Sequence, residues 1–361
     1  MEQIITLSEN SPLGAEGTKV VLDDRTGQVR DMSGKVVRQL ALLPDDVHVP
    51  EEIPTFLATR RLPAFRADDV APVVPVNHRR FNLRSESAED AFIEINPEGS
   101  IQGSIPQVDP STSLDEHSTV EQYVGSYIPK ATEDEETLAN FKVRQAAAIK
   151  CQRVLSIWRE RKVWTTLTTA ANWNSGVVTT IGAGAEWNDF ENSDPMADLL
   201  AAMDDSGVPP TDIWMNQTVA GYFLRHPVVK EHLRMFLGAS EIGRDIANVT
   251  NRGKIDTITD FAIPGLPAIH VVQSKSKPQP GAAWRMALGN HVVMTANSPG
   301  EDLATIKTFR VKGPAGVGYA TREWRVEDRG PEGGTMMVVH VSDRPIFIAN
   351  DAGALLRDVV Q

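Results

Sequence analysis

The chain has 361 residues, 41% of them hydrophobic and 23% charged, and a formal net charge of −12. That composition can build a core and excludes a globally disordered chain. The acidic balance excludes a general nucleic-acid binder, because phosphate contacts need clustered Lys and Arg.

Residues 1–77 alternate short β-prone pieces with turns. The pieces at 19–22, 28–30 and 35–40 are separated by Gly27 and Gly34, a hairpin-like pattern. Prolines then recur at positions 44, 50, 54, 63, 72 and 75, which excludes one regular element there. Ile53, Phe56, Leu57, Leu62, Phe65 and Val70 are too apolar for free solvent, so the segment reads as an arm lying over something. No basic segment and no long apolar run open the chain, so no signal peptide is expected. No stretch of 18 apolar residues is present to span a membrane.

Residues 78–130 form a second extended region. The pieces at 79–84, 91–95 and 119–124 have strand character, with a turn signal at 96–100. A two-stranded excursion is the simplest reading. Such ribbons are marginal alone, so this one needs a neighbour.

Residues 133–172 contain no Gly and no Pro. The stretch is acidic at its start (133–136) and basic further on, as a helix macrodipole favours, with Thr132 as the expected N-cap. Leu138, Phe141, Ala148, Ile149, Leu155 and Trp158 recur at helical spacing and predict a buried stripe. The helix is expected to be roughly 50 Å long. Cys151, the one cysteine, lies on it; it excludes an intrachain disulfide and reads as a buried structural thiol.

A compact α/β pattern follows. A short strand is expected at 177–181. Asp194 and Pro195 predict a helix start, with Met196, Leu199, Leu200 and Met203 on the buried face. A strand at 212–215 leads to a helix at 219–225, capped by Asn216 or Thr218. His226 and Pro227 break it before another helix at 228–237, and 238–254 reads as polar loop. Strands are expected at 268–272, 284–287, 291–295, 306–311, 320–326, 335–341 and 346–349.

No complete catalytic constellation is present. Residues 178–184 open like a dinucleotide fingerprint, but Trp187 stands where the third glycine is needed. Residues 313–318 lack the Gly-Lys-Ser/Thr end of a phosphate loop. His226 and His232 are six apart and cannot share a helical face as zinc ligands do, so they read as surface or capping residues. The adjacent pairs Asp23–Asp24 and Asp204–Asp205 read as solvated. No catalytic, cofactor-binding or metal residue is assigned.

The order of parts says more: arm, β excursion, long helix, α/β unit, closing strands. It resembles the Hong Kong 97 fold of tailed-bacteriophage major capsid proteins, shared with encapsulin shells. Residues 187–199 (WNDFENSDPMADL), 212–216 with 222–229, and 105–109 resemble segments of that family. The resemblance spans about residues 78–350. It implies an α+β fold with an N-terminal arm (1–77) and an extended loop (78–130). A peripheral domain with a spine helix (131–190), an axial domain (191–300) and peripheral strands with the C-terminus (301–361) complete it. It implies a non-catalytic subunit self-assembling as pentamers and hexamers into an icosahedral shell around double-stranded DNA. Scaffolding, portal and decoration proteins are the implied partners, with no cofactor and no membrane. The implied location is the virion, with assembly in the host cytoplasm. No Lys lies between Lys35 and Lys130, so a shell without covalent cross-links from the loop is expected. A retained N-terminus and a separate scaffolding protein are also expected. An encapsulin-like compartment shell, and an α/β enzyme with an unrecognised site, are the alternatives.

Overall fold

The computed structural model describes residues 2–6, 19–23, 28–31, 36–39, 65–85, 113–132, 143–235, 260–277, 279, 281–297, 304–312, 318–327 and 332–361. Four short strands come first: β1 (Glu2–Thr6), β2 (Lys19–Asp23), β3 (Gln28–Asp31) and β4 (Val36–Gln39). Helix α1 (Ala67–Val70) precedes β5 (Val73–Val76), β6 (Arg80–Ser85), β7 (Ser113–Ser118) and β8 (Val120–Pro129). The long helix α2 (Val143–Thr168) leads to β9 (Val178–Thr180), α3 (Pro195–Asp204), β10 (Asp212–Asn216), α4 (Gln217–Arg225) and α5 (227–235). Strands β11 (Ala268–Val272), β12 (Lys275–Ser276), β13 (Arg285–Met286) and β14 (Val292–Thr295) follow. The last are β15 (Ile306–Val311), β16 (Ala320–Val326), β17 (Gly334–Phe347) and β18 (Gly353–Arg357).

Two units divide the chain. One comprises Met1–Ile53, Gly125–Ile149 and Thr321–Val339; the other comprises Pro54–Val124, Lys150–Ala320 and His340–Gln361. In the first unit, β1 to β4 pair in sequence order as an antiparallel meander. The hairpin-like pattern expected at 19–40 is therefore part of a four-stranded sheet, to which Ile4 and Ile5 in β1 add β-branched residues. Elsewhere in this unit Arg144 pairs with the buried carboxylate of Glu323 at 3.5 Å.

The second unit holds a mixed five-stranded sheet of order β11-β10-β14-β18-β9. Its inner strands are buried on both faces, as their unbroken apolar runs (Ile213-Trp214-Met215, Val292-Val293-Met294, Ala354-Leu355-Leu356) require. Helix α3 packs on β18, and α4 packs on β10 and β11. Asp194 caps α3 by accepting the amides of Met196 and Ala197 at 3.1 Å, and Asn216 caps α4 through Val219. The expected inner face of α3 is corrected at one position: Leu200 is 45% exposed, and Ala202 is buried instead. Beside this sheet, β15 pairs antiparallel with the end of β17 and parallel with β5. Pro75 fits in β5 because that strand is an edge, where its missing N–H costs nothing. Strands β6 and β7 form an antiparallel two-stranded ribbon.

Helix α2 spans 26 residues, about 39 Å at 1.5 Å per residue; residues 133–142 of the expected stretch lie outside the described residues. Residues 130–132 are already helical, so Thr132 is not an N-cap; Leu138 and Phe141 lie outside the described residues. The helix stops at Thr168 because its last carbonyls find other partners. Trp173 Nε1 donates to Leu167 O at 2.6 Å, and Asn172 Nδ2 to Thr166 O at 2.7 Å. Trp158, expected in the core, is 41% exposed. The buried line runs Ala148, Cys151, Leu155, Arg159, Val163 and Leu167, with Glu160 and Trp164 beside it. Trp158 precedes Arg159 by about 100° around the helix, which carries it off that face. Charged residues with partners, described next, occupy the place that the apolar count assigned to it.

Several strand readings change: β1, β5, β7 and β12 fall where no strand is expected, and β7, not the piece at 119–124, returns beside β6. The pieces at 335–341 and 346–349 are one 14-residue strand, β17. Strand β18, central to the mixed sheet, was not predicted at all. The expected strand at 91–95 and the loop at 238–254 lie outside the described residues, as do Ile53, Phe56, Leu57, Leu62 and Asp24. Val70 is fully buried, and Cys151 is a free, buried thiol, both as expected. Among the described residues no helix is long and apolar enough to cross a membrane.

Candidate functional site

The fold gathers three polar groups in the second unit. Strands β10 and β11 run parallel with Trp214 opposite His270. Side chains two apart share a face of a strand, so Asp212 comes up beside His270 as well. His270 Nε2 lies 3.0 Å from Asp212 Oδ1, and its Nδ1 lies 3.1 Å from Asp260 Oδ2. The ring stacks on Trp214 at 4.4 Å between centroids. Arg66 reaches the same Asp260 oxygen at 2.8 Å, and the Val271 amide donates to the other oxygen.

A neutral imidazole has one N–H and can serve only one of two carboxylates as donor. Carboxylate contacts on both nitrogens favour the imidazolium. The hydrogen bond to Asp212 is the largest influence holding the His270 proton on, against burial, and its affinity is raised. Burial pushes the Asp212 and Asp260 carboxyls up. For Asp212 the bonds from His270 and Thr211 outweigh it; for Asp260 those from the Val271 amide, His270 and Arg66 do. Both end lowered. A general base needs a free ring nitrogen to take a proton. Here both nitrogens are occupied, and the carboxylates flank the ring rather than converging on a point as metal ligands would. The arrangement is a clamp tying β10, β11 and the segment before α1.

The second group is ionic and buried. Asp343 of β17 accepts Arg310 Nη2 at 3.0 Å and lies 3.6 Å from Arg159 Nε. Arg159 also pairs with Asp68 of α1. At the next residue, the Glu160 carboxylate accepts Trp164 Nε1 at 2.7 Å and the amides of Ala67 and Arg66 at 2.8 and 3.1 Å. Burial raises the Glu160 carboxyl, and these donors pull it back only in part. The third group centres on His226. It is fully buried rather than on the surface, its Nε2 lies 3.1 Å from Ser193 Oγ, and its Nδ1 accepts the Val228 amide that opens α5. His232 Nε2 meets Pro264 O at 3.0 Å instead, so the two histidines serve separate backbone contacts.

None of the three groups was legible in the sequence. Asp212, Asp260 and His270 are separated by 48 and 10 residues and share no motif. The structure also explains the decoys. Trp187, in the third-glycine position, is a fully buried core residue whose indole donates to Asp198 at 2.9 Å. Asp204 and Asp205 are exposed. Residues 313–317 lie outside the described residues.

No family model matches the chain, and no curated protein matches it by sequence. Solved structures do match. A phage-related protein of Bordetella bronchiseptica RB50 aligns over 87% of this chain and 98% of its own, with a TM-score of 0.62 and 14% identity. A protein assigned as a prophage capsid protein of Escherichia coli CFT073 aligns over 86% and 99%, with a TM-score of 0.55 and 12% identity. The chain has the Hong Kong 97 capsid fold. The α+β class and the resemblance read from element order are borne out at the level of the fold. Within this fold the three polar groups are joints between elements of one unit.

Proposed function

We propose that this chain is a phage-type major capsid protein. It self-assembles into an icosahedral shell enclosing double-stranded DNA and acts as a structural, non-catalytic subunit. The observation that carries the reading is the fold match, which takes in nearly all of this chain and of a phage-related protein. On this reading residues 1–77 are the arm, 78–130 the extended loop, 131–190 and 301–361 the peripheral domain, and 191–300 the axial domain. A two-stranded ribbon such as β6–β7 is marginal in water and gains stability against a neighbouring copy. A net charge of −12 suits a container wall that must not stick to its packed DNA. The engagement of both His270 nitrogens supports a non-catalytic role. Pentamers and hexamers of the chain, with scaffolding, portal and decoration proteins, are the partners of this reading. The virion is its location, after assembly in the host cytoplasm.

Electron microscopy of the expressed full chain tests it. Closed shells are expected, and native particles are expected to contain double-stranded DNA. A protein that remains a monomer or dimer at every concentration overturns the reading. Shells that enclose protein cargo without DNA would move it to a compartment shell.

A further inference from the structure

Charge is segregated along the second unit. Residues 163–224 carry eight carboxylates (positions 186, 189, 191, 194, 198, 204, 205 and 212) and no Lys or Arg. Residues 261–300 carry Lys275, Lys277 and Arg285 and no Asp or Glu. Each run also exposes large apolar side chains. On the basic side, β12 and β13 form a short hairpin in which Ser276 faces Arg285. Next to β13, Trp284 is 64% exposed, with Lys277 Nζ 4.7 Å from its ring centroid. A hollow of about 400 Å³ opens between Lys275, Trp284 and Met286. On the acidic side, Phe190 and Leu200 are 40% and 45% exposed, beside the exposed carboxylates Glu191 and Asp204. Lys275, Lys277, Arg285, Glu191 and Asp204 make no ion pair among the described residues.

We infer that the Trp284 hairpin of one copy docks on the acidic Phe190–α3 surface of the next copy. An exposed indole under a lysine is a desolvation-ready anchor of the kind that dominates interfaces, and the flanking charges set its register. The two surfaces are different patches of one chain, so the contact is head-to-tail. Repeated with a fixed rotation, such a contact closes a ring. The proposal rests on the capsid reading and assigns the residues of a contact between copies. A second copy fits better than DNA: the hairpin offers three cations, and the same unit exposes carboxylates at 191, 194, 204 and 205 that complement them.

Charge exchange tests it on the full chain. The variant Lys275→Glu/Arg285→Glu and the variant Glu191→Lys/Asp204→Lys are each expected to lose shells in electron microscopy while the soluble subunit melts as the parent does. Combining all four substitutions is expected to restore shells. Shells persisting in either two-site variant, or absent from the four-site variant with a normally folded subunit, overturn the docking proposal and leave the capsid reading standing. Reversed-charge shells of normal size that no longer retain DNA assign the hairpin to nucleic acid and also overturn it. If a reversal unfolds the subunit, Trp284→Ala with Lys277→Gln decides instead: a raised assembly concentration and a weaker salt dependence are expected, and no change in either overturns the contact. A parent chain that never assembles overturns the capsid reading itself.

Discussion

Trp158 and Trp164 separate composition from position. Both lie on α2, six residues apart, yet one is 41% exposed and the other is fully buried against Trp214 at 5.8 Å between ring centroids. Trp164→Ala is expected to cost about 3–5 kcal/mol, and Trp158→Ala to stay within about 0.5 kcal/mol, in denaturant unfolding of the dissociated subunit. Equal losses for the two would contradict the burial. His270 makes a pH prediction. Its proton affinity is raised above the ordinary 6.5, so its contribution is complete below about pH 6.5 and lost as pH rises through the folded value. Asp212 and Asp260 are lowered from 3.8, so theirs is complete above about pH 3.8 and lost as pH falls through the folded values. Asp212, Asp260 and Arg66 are the charged groups facing the ring. The clamp is therefore strongest between those limits. His270→Gln should flatten the loss of melting temperature between pH 6 and 9; an unchanged slope would show that His270 does not titrate there.

At the scale of elements, the buried ions decide how α2 is held. Asp343 on β17 joins Arg310 of β15 and Arg159 of α2, and all three side chains are at least nine-tenths buried. Removing one member of a buried ionic group leaves the charges of the others undercompensated, so Asp343→Asn is expected to cost about 3–5 kcal/mol. Replacing the group by apolar residues of similar volume should cost much less, and comparing the two by chemical denaturation separates pairing from packing. Strand β18 depends on its first residue. Gly353 has a φ of +110°, and a Cβ there would lie 2.2 Å from Met294 O. Gly353→Ala must strain or open the centre of the mixed sheet, where β14 pairs with β18. Loss of soluble subunit, or a large drop in its melting temperature, is the expected result.

For the whole molecule, the proposed assembly asks three parts of the chain to meet neighbouring copies: the β6–β7 ribbon, the acidic run and the basic hairpin with its exposed indole. The lysine-free stretch between Lys35 and Lys130 leaves the loop no amine donor along its length. Purified particles boiled in detergent should therefore run as a single monomer band; a ladder of multimers would sink the non-covalent shell. The salt dependence of assembly belongs to the same scale, because contacts between opposite charges are screened within about 8 Å at physiological ionic strength.

Local rules alone set much of this protein. The Asp194 and Asn216 caps, most strands of the α/β unit, the uninterrupted helix and the order of parts all follow from spacing, capping and turn chemistry, which act within a few residues. That order was enough to reach the fold. The tertiary structure decided what lies far apart in sequence. It chose which face of α2 is inside, because Arg159 and Glu160 find partners on α1, the residue before it and β17 that no local pattern reveals. It made β18 a central strand, because a five-residue apolar piece near the terminus takes its identity from β14 and β9. It brought Asp212, Asp260 and His270 together, because strand pairing sets that distance and sequence separation does not.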